Sequence, residues 1–434
     1  MARIWNGPIQ RALVVENPAE ELDGLLRAKG MDVLRLAHIP PEKELIQIMQ
    51  ENKTQVVFKR SKVKITKQLI EACPDLLAIQ LCCIGDDSVD KKACAEHGIM
   101  VCNDPISNGQ SVVELVLGNL IALSRRLFET DVECHQGVWN KNHDERYEIR
   151  GKALGVLGLG NIGRSVARNA QALGMQIHFH DTRLVSMELG KEMGWQYHDS
   201  IDSLFAAVDC VTVHLSSNDV KGNSNKGILQ LSHFQLLGQQ RPAGQRLFIN
   251  FARGFLHTPE DLKTAIDQGY ISRAAVDVYP HEPRTNEVWV NPYKEYSKVA
   301  VYPHIGASTQ EAQPRIAHRV ADTFVEFSRL GSLRDTVYQP RINLSLSDHD
   351  GKALLIVCHS TIRGTKKAID EAIYQAGISN LSSLHKDFDE YGFAYDVALL
   401  DNALTEEQIE ILVKSAAQLS STEDVIRSVR QIVL

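Results

Sequence analysis

The 434-residue sequence has no apolar run long enough to cross a bilayer: its most apolar stretch, Leu115 to Leu123, falls short of the roughly 18 to 20 residues a span needs. Cysteine is sparse. Its eight residues stand singly or as the adjacent pair Cys82 and Cys83, without a CxxC or Cys/His spacing that would read as zinc ligation. Reduced thiols and no bound metal are therefore expected. No block of like charge dominates, because 47 Lys+Arg against 54 Asp+Glu leave a net charge of -7, which argues against the basic stripe of a nucleic-acid-binding protein. A continuous apolar core is also missing near the N-terminus, where Pro8, Arg11 and Glu16 interrupt what a signal peptide would need, so a cytoplasmic location is expected. What is present is a 44% apolar, 23% charged composition typical of globular chains, at a length that suits about three domains.

Strand-like and helix-like segments alternate over the first hundred residues, with strands at Arg11 to Glu16, Asp32 to Leu36, Gln55 to Lys59, Leu77 to Cys82 and Met100 to Cys102. Such alternation implies a parallel sheet covered by helices. One long helical pattern follows from Ser111 to about Gln136, then a polar crossing, Asn140 to Arg150. A second αβ series runs from Gly151 to about Val301, and a helix from about Gln310 to Leu330 stops at Gly331. The polar segment Ser332 to Gly351 reads as a linker. Beyond it the order becomes βαββαβ, with Thr405 and Gln408 forming a capping box for the second helix, which is the ferredoxin-like arrangement.

Directly after the apolar run ending at Leu157 stands GLGNIG, with Gly158, Gly160 and Gly163, followed by a helical stretch. The first glycine allows a tight turn, the second lets the backbone approach a pyrophosphate, and the third lets helix pack on strand; the helix N-terminus then offers N–H groups to phosphate. The next strand ends in Asp181, 18 residues beyond Gly163, where a carboxylate can accept hydrogen bonds from the ribose hydroxyls of NAD. Arg183, two residues on, weakens the exclusion of NADP. Without its context the motif would be only a glycine-rich turn beside a solvated acid.

Three motifs fall at strand C-termini of this second series: NFARG (Asn250 to Gly254), DVYPHEP (Asp277 to Pro283) and PHIGAST (Pro303 to Thr309). Singly, each has a bland reading as a solvated strand end. Together they offer a cation for a carboxylate, a base for a hydroxyl proton and an acid to orient that base, the parts a hydroxy-acid hydride transfer needs.

With these motifs, and with Arg60-Ser61, CCIG at Cys82 to Gly85, DPISNGQSVVEL at Asp104 to Leu115 and GVWNK at Gly137 to Lys141, the sequence resembles the D-isomer-specific 2-hydroxyacid dehydrogenases over nearly its whole length. Within that family it is most similar to the branch that acts on D-3-phosphoglycerate and carries a C-terminal ACT domain. The resemblance implies an α/β fold, in which a Rossmann-type doubly wound cofactor domain is inserted in a flavodoxin-like substrate domain and a ferredoxin-like βαββαβ (ACT) domain follows. The expected boundaries are 1–107 and 304–335 for the substrate domain, 108–303 for the NAD-binding domain, 336–351 for the linker and 352–434 for the ACT-like domain, which alone should be separable. It further implies NAD-dependent, reversible oxidation of D-3-phosphoglycerate to 3-phosphohydroxypyruvate, the first step of serine synthesis. In that scheme His304 is the acid/base, Glu282 holds it, and Arg253 binds the substrate carboxylate and carbonyl. The cofactor would meet Gly158, Gly160, Asn161, Ile162, Asp181, Ala252, Arg253, Asp277, His304 and Gly306, with Asp277 at the nicotinamide end. The substrate would meet Arg60, Ser61, Ile84, Gly85, Asn108, Lys141 and Arg253, Lys141 reaching a neighbouring subunit's site in a dimer or tetramer.

Three departures from the family pattern stand out. The loop Ser216 to Gly227 is long and lacks a proline after Leu215; Ala307 replaces a second glycine. In the ACT-like segment CHSTIRG, His359 and Gly364 match the pattern of serine-inhibited relatives, but Thr361 and Arg363 stand where an Asn and a Pro would be, so an amino-acid effector is expected without serine as its settled identity. The rival readings are a dehydrogenase of another 2-hydroxy acid, such as 2-hydroxyglutarate, glycerate or lactate, and a non-catalytic NAD-sensing protein.

Overall fold

The computed structural model describes residues 2–219, 222–283, 288–339, 343–346 and 350–434. Val220 and Lys221 of the long loop, and residues 340–342 and 347–349 of the expected linker, lie outside the described residues. The strands are, in chain order, β1 (Arg3–Asn6), β2 (Arg11–Val14), β3 (Asp32–Arg35), β4 (Val56–Lys59), β5 (Ala78–Leu81), β6 (Met100–Cys102), β7 (Ala153–Leu157), β8 (Gln176–His180), β9 (Gln196–Tyr197), β10 (Cys210–Val213), β11 (Leu247–Asn250), β12 (Arg273–Val276), β13 (Val299–Val301), β14 (Ala353–Ser360), β15 (Asn380–Phe388), β16 (Phe393–Leu400) and β17 (Ile426–Val433). The chain divides into two compact units, residues 108–312 and residues 1–107 with 313–434.

In the first of these units the strands are all parallel and ordered β13-β12-β11-β10-β7-β8-β9. Their residues are buried on both faces: Val211, Val213, Phe248 and Val276 pack into one apolar layer, Leu154, Val156, Ile249 and Ala275 into the other. That explains why the strands read as unbroken apolar runs. Strand order reverses between β7 and β10, the switch point at which open α/β sheets bind ligands beyond their strand C-termini. The single helix expected from Ser111 to Gln136 is instead two, Gly109–Arg125 and Leu127–His135, because Arg126 turns the chain in the left-handed region with φ of 57°.

The other unit holds a parallel sheet ordered β3-β2-β4-β5-β6 and a second sheet ordered β1-β17-β14-β16-β15. The second contains the βαββαβ domain, its helices Thr365–Gln375 and Glu406–Ser420 on one face and the Thr405/Gln408 capping box formed at the start of the latter. The expectation that this tail is separable needs correction. Its other face, with Ile356, Tyr395 and Val397, shares one apolar core with Val101, Phe327 and Tyr338. The Tyr395 hydroxyl donates to the Gly331 carbonyl at 2.7 Å and the Arg430 guanidinium to that of Phe327 at 2.7 Å. The free edge at β17 is covered by β1, a strand without a sequence pattern of its own; it pairs in parallel register from Arg3 opposite Ser428 to Asn6 opposite Gln431. Arg3 fixes the strand by donating to the carbonyls of Ile70, Cys73 and Leu76 at 2.7 to 2.8 Å.

Candidate active site

NFARG begins at the last residue of β11. The buried Asn250 side chain accepts the Ala252 N–H and donates to the Arg253 carbonyl, both at 3.0 Å, so one amide staples the turn that presents Arg253. Gly254 follows because nothing larger fits: a Cβ there would lie 2.0 Å from the carbonyl carbon of Tyr279. This close approach locks NFARG onto DVYPHEP.

Past β12, the buried Asp277 accepts the N–H groups of Ile305 at 2.8 Å and Gly306 at 2.7 Å. Glu282 accepts the Tyr279 N–H at 3.0 Å through one oxygen and faces His304 Nδ1 at 2.7 Å through the other. Two carboxylates thus hold one turn, Asp277 by its backbone and Glu282 by its ring. His304 itself adopts φ of 57°, a conformation sparsely populated by residues with a Cβ and one that only surrounding contacts sustain. Its side chain is about half exposed (49%), against 33% for Glu282.

The electrostatics follow from this pairing. Burial opposes a charged imidazole at His304, but the Glu282 hydrogen bond and the charges of Glu282 and Asp277 outweigh it and raise the pKa. Burial pushes the Glu282 carboxyl up, the His304 contact pulls it down further, and it ends below the ordinary carboxylate range. At Asp277 burial prevails over its two backbone hydrogen bonds and the pKa rises. With Nδ1 engaged by Glu282, Nε2 is the nitrogen left to exchange a proton with a ligand.

The glycine turn lies at the β7–β10 switch point. Gly158 has φ of 94°, and a Cβ on it would lie 2.8 Å from the His214 carbonyl oxygen; one on Gly163 would lie 2.1 Å from the Gly158 oxygen. Gly160 differs: its nearest neighbour is the Arg183 guanidinium at 3.7 Å, so the space above it is open for a pyrophosphate. It precedes helix Asn161–Ala172, whose first turn carries no acidic residue to compete for the N–H groups. The cradle fits a dinucleotide. Asp181 stands at the end of the next strand but is already engaged: it accepts the Leu159 N–H at 2.7 Å, the Arg183 N–H at 2.8 Å and the Arg183 guanidinium at 2.7 and 3.1 Å. Burial disfavours its charge, and these contacts overcome it, lowering the pKa.

Arg253, Asp277, Glu282, His304 and Gly306 therefore meet around one turn, in the same unit as the glycine cradle, Asn108 and the exposed Lys141. Arg60, Ser61, Ile84 and Gly85 belong to the other unit. There the loop after β4 is held by Glu16, a residue outside the sequence motifs. The Glu16 carboxylate accepts the N–H groups of Lys62 at 2.8 Å and Val63 at 2.5 Å and pairs at 3.7 Å with the fully buried Lys59. A lysine ending the apolar run VVFK is a signal that could have found this pair. The stapling role of Asn250, by contrast, carries no signal in the NFARG motif itself.

This arrangement of cradle, cation, acid and histidine brings together the groups that hydride transfer between a small 2-hydroxy acid and a dinucleotide needs. Residues 117–306 match the family described as D-isomer specific 2-hydroxyacid dehydrogenase, NAD binding domain. Among curated relatives, the D-3-phosphoglycerate dehydrogenase of Haemophilus influenzae is 35% identical over 321 residues, 74% of this chain and 75% of that one. D-3-phosphoglycerate dehydrogenase 2 of Saccharomyces cerevisiae is 29% identical over 423 residues, 94% of this chain and 86% of its own. The solved glyoxylate reductase of Paecilomyes thermophila matches in fold with a TM-score of 0.66 at 24% identity, covering 76% of this chain and 98% of that one. The chain belongs to the D-isomer specific 2-hydroxyacid dehydrogenase family, and its cofactor is NAD.

Proposed function

We propose that this protein oxidises D-3-phosphoglycerate to 3-phosphohydroxypyruvate, reversibly, as the first step of serine synthesis in the cytoplasm. The observation that carries the proposal is the His304–Glu282 pair at 2.7 Å, on a turn anchored by Asp277 within the unit that bears Arg253. The names of the relatives in Haemophilus influenzae and Saccharomyces cerevisiae support the substrate.

NAD, when bound, supplies the hydride acceptor. His304 takes the hydroxyl proton through Nε2 as a neutral base, and Glu282 compensates the positive charge that the ring then carries. Arg253 holds the substrate carboxylate and steadies the carbonyl that develops. Asp277, expected at the nicotinamide end, has both oxygens on backbone N–H groups, so we assign it the positioning of the His304 turn. Arg60 and Ser61 take the phosphate, a planar guanidinium being suited to bidentate contact; Lys141 adds a cation from a neighbouring subunit, and Ile84, Gly85 and Asn108 line the substrate. The exposed apolar residues Phe128, Val132 and Trp139 support a homo-oligomer. The C-terminal domain we take as ACT-like, with an amino-acid effector.

The test is steady-state kinetics with NAD and, in turn, D-3-phosphoglycerate, 2-hydroxyglutarate and lactate. Arg60→Ala should lower kcat/KM for the phosphorylated acid by about 100-fold, the loss of a charge-assisted contact worth roughly 3 kcal/mol, and spare the others. Equal losses on all three would remove the phosphate role, and turnover of none would leave the NAD-sensing alternative.

A further inference from the structure

Away from the dehydrogenase site, three side chains from three adjacent strands converge within the C-terminal sheet: His359 on β14, His385 on β15 and Asp396 on β16. His385 and Asp396 stand directly opposite each other in the antiparallel register. One ligand atom from each lies within 4.8 Å of the others. His359 and Asp396 are almost fully buried, while the His385 side chain, on the outer strand, is about one third exposed and opens the cluster to solvent.

The hydrogen-bond accounting of this cluster does not balance with neutral rings. His359 Nδ1 faces the Ser360 carbonyl at 2.7 Å and its Nε2 faces Asp396 Oδ2 at 2.6 Å. His385 Nδ1 faces Asp396 Oδ1 at 3.0 Å and its Nε2 faces Asp387 Oδ1 at 3.1 Å. All four partners are acceptors, yet two neutral imidazoles bring only two N–H donors. The shortfall is two donors, and one divalent cation set among His359 Nε2, His385 Nδ1 and Asp396 removes the need for both. His359 is oriented for such a role, since a backbone carbonyl that takes Nδ1–H leaves Nε2 as the ligating nitrogen. Lys366, at the start of helix Thr365–Gln375, now provides countercharge at 3.5 Å from Asp396 Oδ1. Its ammonium also bonds Asp370 at 2.7 Å, one turn along, and so has a place to remain if a cation takes over.

We propose that His359, His385 and Asp396 form a binding site for a borderline divalent cation of the Zn²⁺ class. Two imidazole nitrogens and one carboxylate oxygen are the donors such ions accept, with water completing the shell on the exposed His385 side. Asp387 orients His385 from behind, as outer carboxylates do for metal-bound histidines. The bound ion ties β14, β15 and β16 together, a site that involves none of the residues assigned to hydride transfer.

The test uses the full-length protein, stripped with chelator and titrated with Zn²⁺ by calorimetry, with Co²⁺ absorption as a second probe. The wild type should bind one ion per chain saturably and melt at a higher temperature in its presence. His385→Ala, on an outer strand where truncation is tolerated, should weaken binding at least about tenfold, the size of change that even an outer-shell loss brings. Asp396→Asn should do the same, with circular dichroism to check its fold. Lys366→Ala should retain binding or tighten it. The proposal is overturned if the wild type shows no saturable binding, if His385→Ala binds as well as the wild type, or if Lys366→Ala abolishes binding.

Discussion

Two histidine–carboxylate pairs in this chain have nearly the same length, 2.7 Å for His304–Glu282 and 2.6 Å for His359–Asp396, and opposite settings. His304 sits on a loop beyond β13, in a left-handed backbone conformation, with half its side chain exposed. His359 lies on β14, the middle strand of the C-terminal sheet, with both ring nitrogens engaged and 2% of its side chain exposed. A carboxylate alone therefore does not make a histidine an acid/base. What distinguishes the two is a half-exposed ring that a substrate hydroxyl can reach and backbone strain that surrounding contacts, Asp277 above all, sustain. On the proposed mechanism the first pair exchanges a proton, whereas the second is buried within a sheet beside His385 as a candidate ion site.

The comparison breaks or stands on His304→Ala against His359→Ala. The first should lower kcat by roughly 10²- to 10⁴-fold, the usual worth of a general acid/base, without lowering the melting temperature. The second should leave kcat within a few-fold and reduce stability by about 1 to 3 kcal/mol, because Asp396 then loses a buried partner. Steady-state rates and thermal melts of both variants decide it, and equal kinetic losses would erase the distinction.

A smaller effect separates two glycines. At Gly254 a Cβ has no room beside the Tyr279 carbonyl, so Gly254→Ala should push NFARG from DVYPHEP, cost roughly 1 to 3 kcal/mol and lower kcat/KM by about tenfold or more as Arg253 shifts. At Gly377, which closes helix Thr365–Gln375 with φ of 69° and open space around it, Ala should cost only the left-handed strain of about 1 kcal/mol and leave the kinetics alone. Denaturant melts paired with kinetics sharpen the contrast, which fails if Gly377→Ala is the more damaging of the two.

The same contrast explains what could be read from the sequence. The glycine cradle and the residues around His304 were legible because each lies in a short contiguous motif at a strand end, where spacing alone carries the geometry. β1 was not, since four residues with little pattern acquire strand structure only by pairing with β17, more than four hundred positions away. The break at Arg126 was hidden for a related reason, no glycine or proline marking it in LSRRLF. The cluster at Asp396 is invisible to any spacing rule: its histidines stand 37 and 11 residues away, on strands whose order in the sheet differs from their order in the chain. Cysteine spacing, from which no metal is expected, carries no information on side chains that sheet register brings together.

The least drastic test concerns pH, and its sign follows from the pair itself. Glu282 raises the His304 pKa despite burial, so the neutral ring that accepts a proton is populated only as pH climbs past that raised value. Oxidation of the hydroxy acid should rise with pH through it and then level off, while reduction of the keto acid, which needs the imidazolium, should fall over the same range. Glu282→Gln removes the largest influence that holds the proton on the ring, leaving the charge of Asp277 alone against burial and Arg253, which favour the neutral form. The midpoint of the kcat/KM profile for oxidation should move to lower pH, with a reduced plateau because the ring loses its charged orienting partner. His385→Ala alters the other histidine–carboxylate cluster and should leave that midpoint where it is. A Glu282→Gln profile that keeps the wild-type midpoint would mean that the kinetic group is not His304, and the two pairs would then differ in setting without differing in role.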